Sequence, residues 1–177
     1  MRVYLLYVSL FFFLFLSVGC SSYQWMEDCS VIIEAQTEQS EKYNLQIDFR
    51  KHHFSGILLI KRMNSSEIRI IGATHFGLSL FDFSIKNNQF IINDCIEPLK
   101  KKKLLKLLER DFKQLLLSNQ KRKIKSAVNT SKEFTYGKFI GKTKVKVNGE
   151  EIIPFFRVQL KHPMIGLVII LDPINEK

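Results

Sequence analysis

A few groups of residues in this chain are of the types that chemistry uses. Gly137, Lys138, Phe139, Ile140, Gly141, Lys142 and Thr143 carry the glycines, lysine and hydroxyl of a phosphate-cradling loop. Such a loop sets four residues between its glycines and opens a helix whose N-terminus faces the phosphate. Here three residues separate the glycines and an alternating strand pattern follows, so nucleotide binding is not expected. The four histidines, His52, His53, His75 and His162, have no metal-ligand spacing, and neighbours on a strand point to opposite faces, so no metal is expected. All four read as turn or surface residues. No GxSxG motif is present, and no pair of carboxylates stands out from its setting. Asp82 is the one acid with an odd address, in the apolar run Leu80, Phe81, Asp82, Phe83. A partner such as Arg69 or Arg62 across a sheet would account for it. Nothing here is the signature of an enzyme, and no cofactor is expected.

Three cysteines remain. Cys29 and Cys95 lack a CxxC spacing, which argues against redox or metal work. In an exported protein they would either pair, closing a loop worth about 4 kcal/mol in the chain-entropy model, or stay as two thiols. Cys20 is different because of what precedes it. Met1 and Arg2 lead an apolar run over residues 3–16, followed by Ser17, Val18, Gly19 and Cys20. A short positive start, an apolar stretch and small residues at a cut site make a signal peptide over residues 1–19. The run falls short of the roughly 20 residues that span a bilayer, and no positive flank stops it, so a retained anchor helix is the weaker reading.

Leu16, Ser17, Val18, Gly19 and Cys20 resemble the lipobox of bacterial lipoproteins, with the leucine four places before the cysteine. The resemblance implies acylation of Cys20, where two or three chains anchor stably and one would not. The other reading is an ordinary secretory signal. Ser21, not an aspartate, follows the cysteine, which in such lipoproteins implies forwarding to the outer membrane. The absence of an acidic cluster after it points to the periplasmic face.

Apolar content of 46% and 15 phenylalanines in 177 residues argue for a folded domain and against disorder. Residues 20–41 are mostly polar and read as lipid anchor and tether; residues 42–177 read as a single domain. Tyr43, Leu45, Ile47 and Phe49 alternate with polar residues as a half-buried strand does. Residues 54–60, 68–73, 78–85 and 90–92 follow as strands separated by tight polar turns such as Asn87 and Asn88, an antiparallel meander. Residues 54–60 are apolar on both faces, which suits a strand covered on both sides.

Pro98 then opens an expected helix of about five turns, with Leu104, Leu108, Phe112, Leu115 and Leu116 on one stripe and lysines opposite. Residues 134–140, 143–147, 152–160 and 167–171 add strands, with Asn148 and Gly149 as a two-residue turn setting Lys146 opposite Glu151. Lys142, Lys144 and Lys146 alternate as on a guarded edge strand. The expected fold is therefore mostly antiparallel β of about nine strands, an incomplete barrel or strongly curved sheet, with one long amphipathic helix packed on it (α+β).

The formal charge is +10 and the pI near 9.6. Between Lys100 and Lys125 stand 11 basic and 2 acidic residues, a local net of +9 that accounts for nearly all of it. Lys100, Lys101, Lys102, Lys103, Lys121, Arg122 and Lys123 have three readings: a solvated helix face, a contact with anionic lipid headgroups, or a protein contact. Nucleic acid, the usual partner of a basic chain, is excluded by export.

The lipobox leader, the run of antiparallel strands and the helix resemble the periplasmic carriers and outer-membrane receptors of the LolA and LolB superfamily. The stretches FSGILLIKR, FGLSLFDFSIK and LLKLLERDF are similar to lipoproteins of Bacteroidota placed near that superfamily. The resemblance covers roughly residues 43–171. It implies an incomplete barrel around a hydrophobic cavity that accepts acyl chains of lipids or lipoproteins. Leu58, Ile60, Ile70, Leu80, Phe81 and Phe83 are the candidate lining residues, with ordinary core as the other reading. A structural or docking subunit of an envelope assembly, with no ligand, is the alternative function.

Overall fold

The computed structural model describes residues 31–117, 123–128, 131–136, 142–148 and 157–174. Ten strands form one antiparallel sheet with linear order β5-β4-β3-β2-β1-β10-β9-β8-β7-β6. The first five, β1 (Glu41–Phe49), β2 (His52–Asn64), β3 (Glu67–Thr74), β4 (Ser79–Lys86) and β5 (Gln89–Cys95), are the expected meander. The second set is β6 (Lys123–Val128), β7 (Ser131–Tyr136), β8 (Thr143–Asn148), β9 (Arg157–His162) and β10 (Leu167–Pro173). The two sets join through β1 and β10, which pair from Tyr43 with Pro173 to Phe49 with Leu167.

Alternation decides which side of each strand is covered. Tyr43, Leu45, Ile47 and Phe49 are all buried, as are Val158, Leu160 and His162 on β9 and Leu167, Ile169 and Leu171 on β10. On β2 only one side is closed: Leu58 and Ile60 have no exposed surface, while Ile57 and Leu59 are half-buried. The expectation that this strand is covered on both sides is not met, since Ile57 and Leu59 keep part of their surface in solvent. Turn chemistry matches the sequence: Asn87 and Asn88 both take positive φ, 48° and 65°, which asparagine tolerates in a two-residue hairpin.

The helix differs from the expected one at its start. Glu97–Leu99 form a single 3-10 turn, Lys101 is extended, and α1 runs Lys102–Leu116, 15 residues or about four turns. Pro98 fixes the 3-10 turn, and neither Asp94 nor Glu97 caps α1, which has no side-chain cap. The five residues of the expected stripe, Leu104, Leu108, Phe112, Leu115 and Leu116, are all buried. At the other end, Leu115 O accepts from the backbone N–H groups of Ile32 and Ile33 at 3.1 and 3.0 Å. The chain there is no solvated tether: Ile33 and Ala35 are buried, and Arg62 donates from Nε to Ala35 O and from its backbone N–H to Gln36 O.

Past α1 the register corrects two further expectations. Strand β8 lies between β7 and β9 and is not an edge; Lys144 faces Lys161, and both stay in solvent. Asn148 pairs with Arg157 and Lys146 with Gln159, so Lys146 does not stand opposite Glu151 and no two-residue turn closes this pair. Residues 149–156, Gly149 and Glu151 among them, lie outside the described residues, as do Gly137 to Gly141.

A covered interior and its polar anchor

One apolar face is assembled mainly from β1 to β4, β9, β10 and α1. Leu58, Ile60, Ile70 and Phe83 are 0% exposed, Phe81 1% and Leu80 3%. Leu80 and Phe81 are neighbours, and ordinary alternation would bury only one. Between Gly72 and Ala73 the register of β3 against β4 shifts, so Leu80 has no partner in β3 and is buried together with Phe81. The Phe81 ring lies across Gly72, where an added Cβ would be 2.5 Å from ring carbons. Phe112 of α1 sits on Phe81 and Phe83 with ring centroids 6.0 and 6.1 Å away, and Phe90 packs on Phe83 at 4.9 Å. The structure therefore gathers all six candidate lining residues in one core, with α1 over it.

One residue back along α1, the contacts turn polar. Asp111 is 1% exposed, yet it lies on the same face as Leu108 and Leu115. Its Oδ2 receives the Nε2 proton of His162 at 2.5 Å, and its Oδ1 accepts from Tyr136 OH at 3.0 Å and lies 3.4 Å from Thr143 Oγ1. Thr143 Oγ1 is 3.2 Å from His162 Nδ1 and accepts from Arg110 Nη2 at 2.7 Å. Arg110 also stands over the Tyr136 ring, 5.4 Å from its centroid. Burial, and after it the Asp111 charge, pushes the Tyr136 phenol well above its ordinary range, so it stays a donor.

A hydroxyl, an imidazole and a carboxylate in sequence have the connectivity of a nucleophile relay. Thr143, His162 and Asp111 are each buried to within 1%, and the Thr143 oxygen already accepts from Arg110. The cluster fixes α1 against β7, β8 and β9, with Arg110 Nε buried and without a partner among the described residues. Sequence reading missed all five members. The signal was an acid at a stripe position, three residues after Leu108 and four before Leu115, and a histidine continuing the Val158, Leu160 alternation that was read as a turn.

Outside the interior, Asp82 has the partner expected of it. Arg69 donates to it twice, Nη2 to Oδ2 at 2.7 Å and Nε to Oδ1 at 3.1 Å. The Arg69 hydrogen bonds hold its carboxyl below the usual range, against the opposing effect of burial. Cys95 is a free, buried thiol pushed up to about 11 by burial and by Asp94; Cys29 and Cys20 lie outside the described residues. Of the basic residues, Lys100, Lys101, Lys102 and Lys103 are exposed, Lys123 opens β6, and Lys121 and Arg122 lie outside the described residues. His52 stacks on Phe54 and His53 bonds Asp48, both in the open. Among the described residues no three His, Cys, Asp or Glu side chains group as metal ligands, and no helix is long and apolar enough to cross a membrane.

A scan against protein-family models finds no match, and comparison with curated proteins finds no significant similarity.

Proposed function

We propose that this chain is an outer-membrane lipoprotein, held on the periplasmic face by acylated Cys20, whose sheet binds an acyl chain of a lipid or lipoprotein in the space that α1 fills in the closed form. The observation that carries this is the reach of two adjacent residues of α1. Phe112 touches β4, while Asp111 touches β7, β8 and β9. In the sheet order β4 and β8 are six steps apart, about 29 Å if the sheet were flat. One helix is about 10–12 Å wide, so its contact with both supports a sheet that curves around it as an incomplete barrel. Its buried face, in this reading, is an acyl site with α1 as removable cover.

Energetics set the conditions for exchange. At about 0.8 kcal/mol per CH₂, a sixteen-carbon chain gains on the order of 12 kcal/mol on leaving water. Exposing Leu104, Leu108, Phe112, Leu115 and Leu116 costs about 1.5–3 kcal/mol each, a comparable total. In water the closed form therefore competes well with an acyl ligand. At a bilayer surface the apolar stripe of α1 has somewhere else to lie, and the exchange becomes favourable. No covalent step is needed, and handing the chain on to a membrane moves it between two apolar surroundings.

Hydrogen exchange with and without palmitate in detergent micelles tests this. The amides of α1 and of Ile32 and Ile33, which bond its C-terminus, are expected to lose protection on loading while those of β1 to β4 keep theirs. Unchanged protection throughout would instead favour a docking subunit with no ligand.

A further inference from the structure

We propose that one end of the sheet is a docking surface for a bilayer rich in anionic lipid. Large apolar side chains are strongly exposed at two hairpin tips: Phe76 (95%) and Leu78 (69%) between β3 and β4, and Met164 (67%) between β9 and β10. Topology puts both tips at the same end. Strand β1 finishes there at Phe49, which pairs with His52 at the start of β2 and with Leu167 at the start of β10. The backbone N–H of Arg50 bonds Gly166 O, tying the Met164 turn to the β1–β2 turn. Strand β3 also rises to this end, and its tip is closed by bonds from Thr74 N–H to Leu78 O and from Gly77 N–H to Thr74 O.

The basic start of α1 arrives at the same place. Ile96 N–H bonds Leu80 O beside that tip, and Lys101 Nζ stands 5.9 Å from the centre of the Phe49 ring. Arg50, Lys51, Lys100, Lys101, Lys102 and Lys103 are thus all exposed around the apolar tips. The carboxylates nearby are mostly engaged: Asp48 with His53 and Glu97 with Lys100, leaving Asp94. Lys51, Lys102 and Lys103 form no ion pair among the described residues.

Apolar tips ringed by lysines match the two layers of an anionic bilayer: the tips enter the acyl boundary while the ammonium groups stay with the headgroup phosphates. Each lysine near such a surface is worth about fivefold in partitioning, so Lys101, Lys102 and Lys103 together supply about a hundredfold. The opposite end carries Met63 in the β2–β3 hairpin and has no comparable lysine cluster among the described residues. This inference does not depend on the interior binding anything.

The test uses the chain begun after Cys20, which keeps every described residue and has no acyl anchor to hold it to a vesicle, with Trp25→Phe so that one tryptophan reports. Phe76→Trp, a change at an almost fully exposed position, and Met63→Trp at the other end are compared in vesicles of phosphatidylethanolamine and phosphatidylglycerol with brominated acyl chains. Expected are a blue shift and quenching for the Phe76→Trp protein alone. The inserted fraction should fall about a hundredfold in equilibrium constant with Lys101→Gln, Lys102→Gln and Lys103→Gln combined. Quenching no greater for Phe76→Trp than for Met63→Trp overturns the docking surface, and leaves the face to a protein partner. Equal quenching in brominated phosphatidylcholine vesicles, with the lysines removed, overturns its preference for anionic lipid.

Discussion

Asp111→Ala removes the acceptor at the centre of the buried cluster and leaves its donors in place. His162 Nε2, bonded to it at 2.5 Å, then has no partner among the described residues, and Tyr136 OH, bonded to it at 3.0 Å, keeps only Thr143. A buried donor left unmatched costs about 1–3 kcal/mol, and two hydrogen bonds to the Asp111 carboxyl are lost together. A loss of about 4 kcal/mol is therefore expected, read as a lower urea midpoint at unchanged slope. Combining Asp111→Leu, His162→Leu and Tyr136→Phe removes donors and acceptor together, and should cost less than the single changes summed, by at least about 1.5 kcal/mol. A cost below about 1 kcal/mol for Asp111→Ala would refute the claim that this cluster anchors α1. Strict additivity in the combined variant would refute the coupling within it.

Further outcomes follow from the sheet. Because the Arg69 hydrogen bonds depress the folded-state carboxyl of Asp82, the pair stabilises above the ordinary carboxylate range and is lost as pH falls through the lowered value. Asp82→Asn should remove about 1 kcal/mol at pH 7, and progressively less as the pH of the urea titration is taken down below the ordinary carboxylate range. Gly56→Ala would set a Cβ 1.9 Å from the Ala73 carbonyl oxygen, and Gly72→Ala 2.5 Å from the Phe81 ring. A ring tilts more easily than a ladder carbonyl moves, so thermal unfolding should show Gly56→Ala as the worse of the two, with Gly72→Ala costing about 1–3 kcal/mol. Cys95, a protonated and buried thiol at neutral pH, should react with iodoacetamide only when urea opens the domain. Rapid labelling of the native protein at Cys95 would contradict its place in the core.

Local pattern carried the meander and the helix face. Period-two alternation placed β1, and spacing in threes and fours identified the five buried residues of α1, because both depend only on which side of an element is covered. The acid in β4 was also legible: a carboxylate among apolar neighbours needs a donor, and Arg69, not Arg62, supplies it. Register was not legible. Lysines at every second place on β8 looked like an edge, but the same pattern suits any strand with one solvated face, and only pairing with β7 and β9 tells them apart. The polar anchor was hidden for the same reason. Asp111, Tyr136, Thr143 and His162 come from four elements, and no spacing in the sequence encodes that they meet. The start of α1 turned on Lys101 adopting an extended backbone, a choice that Pro98 and the following lysines left open.

The central claim is that the space now filled by α1 takes an acyl chain. Native mass spectrometry of the chain begun after Cys20 and purified from a bacterial periplasm measures this directly. The account predicts a fraction carrying the mass of a lipid or acyl peptide, a fraction that grows when Asp111→Ala loosens α1. A protein that carries no such mass, with Asp111→Ala folded and equally empty, would contradict it.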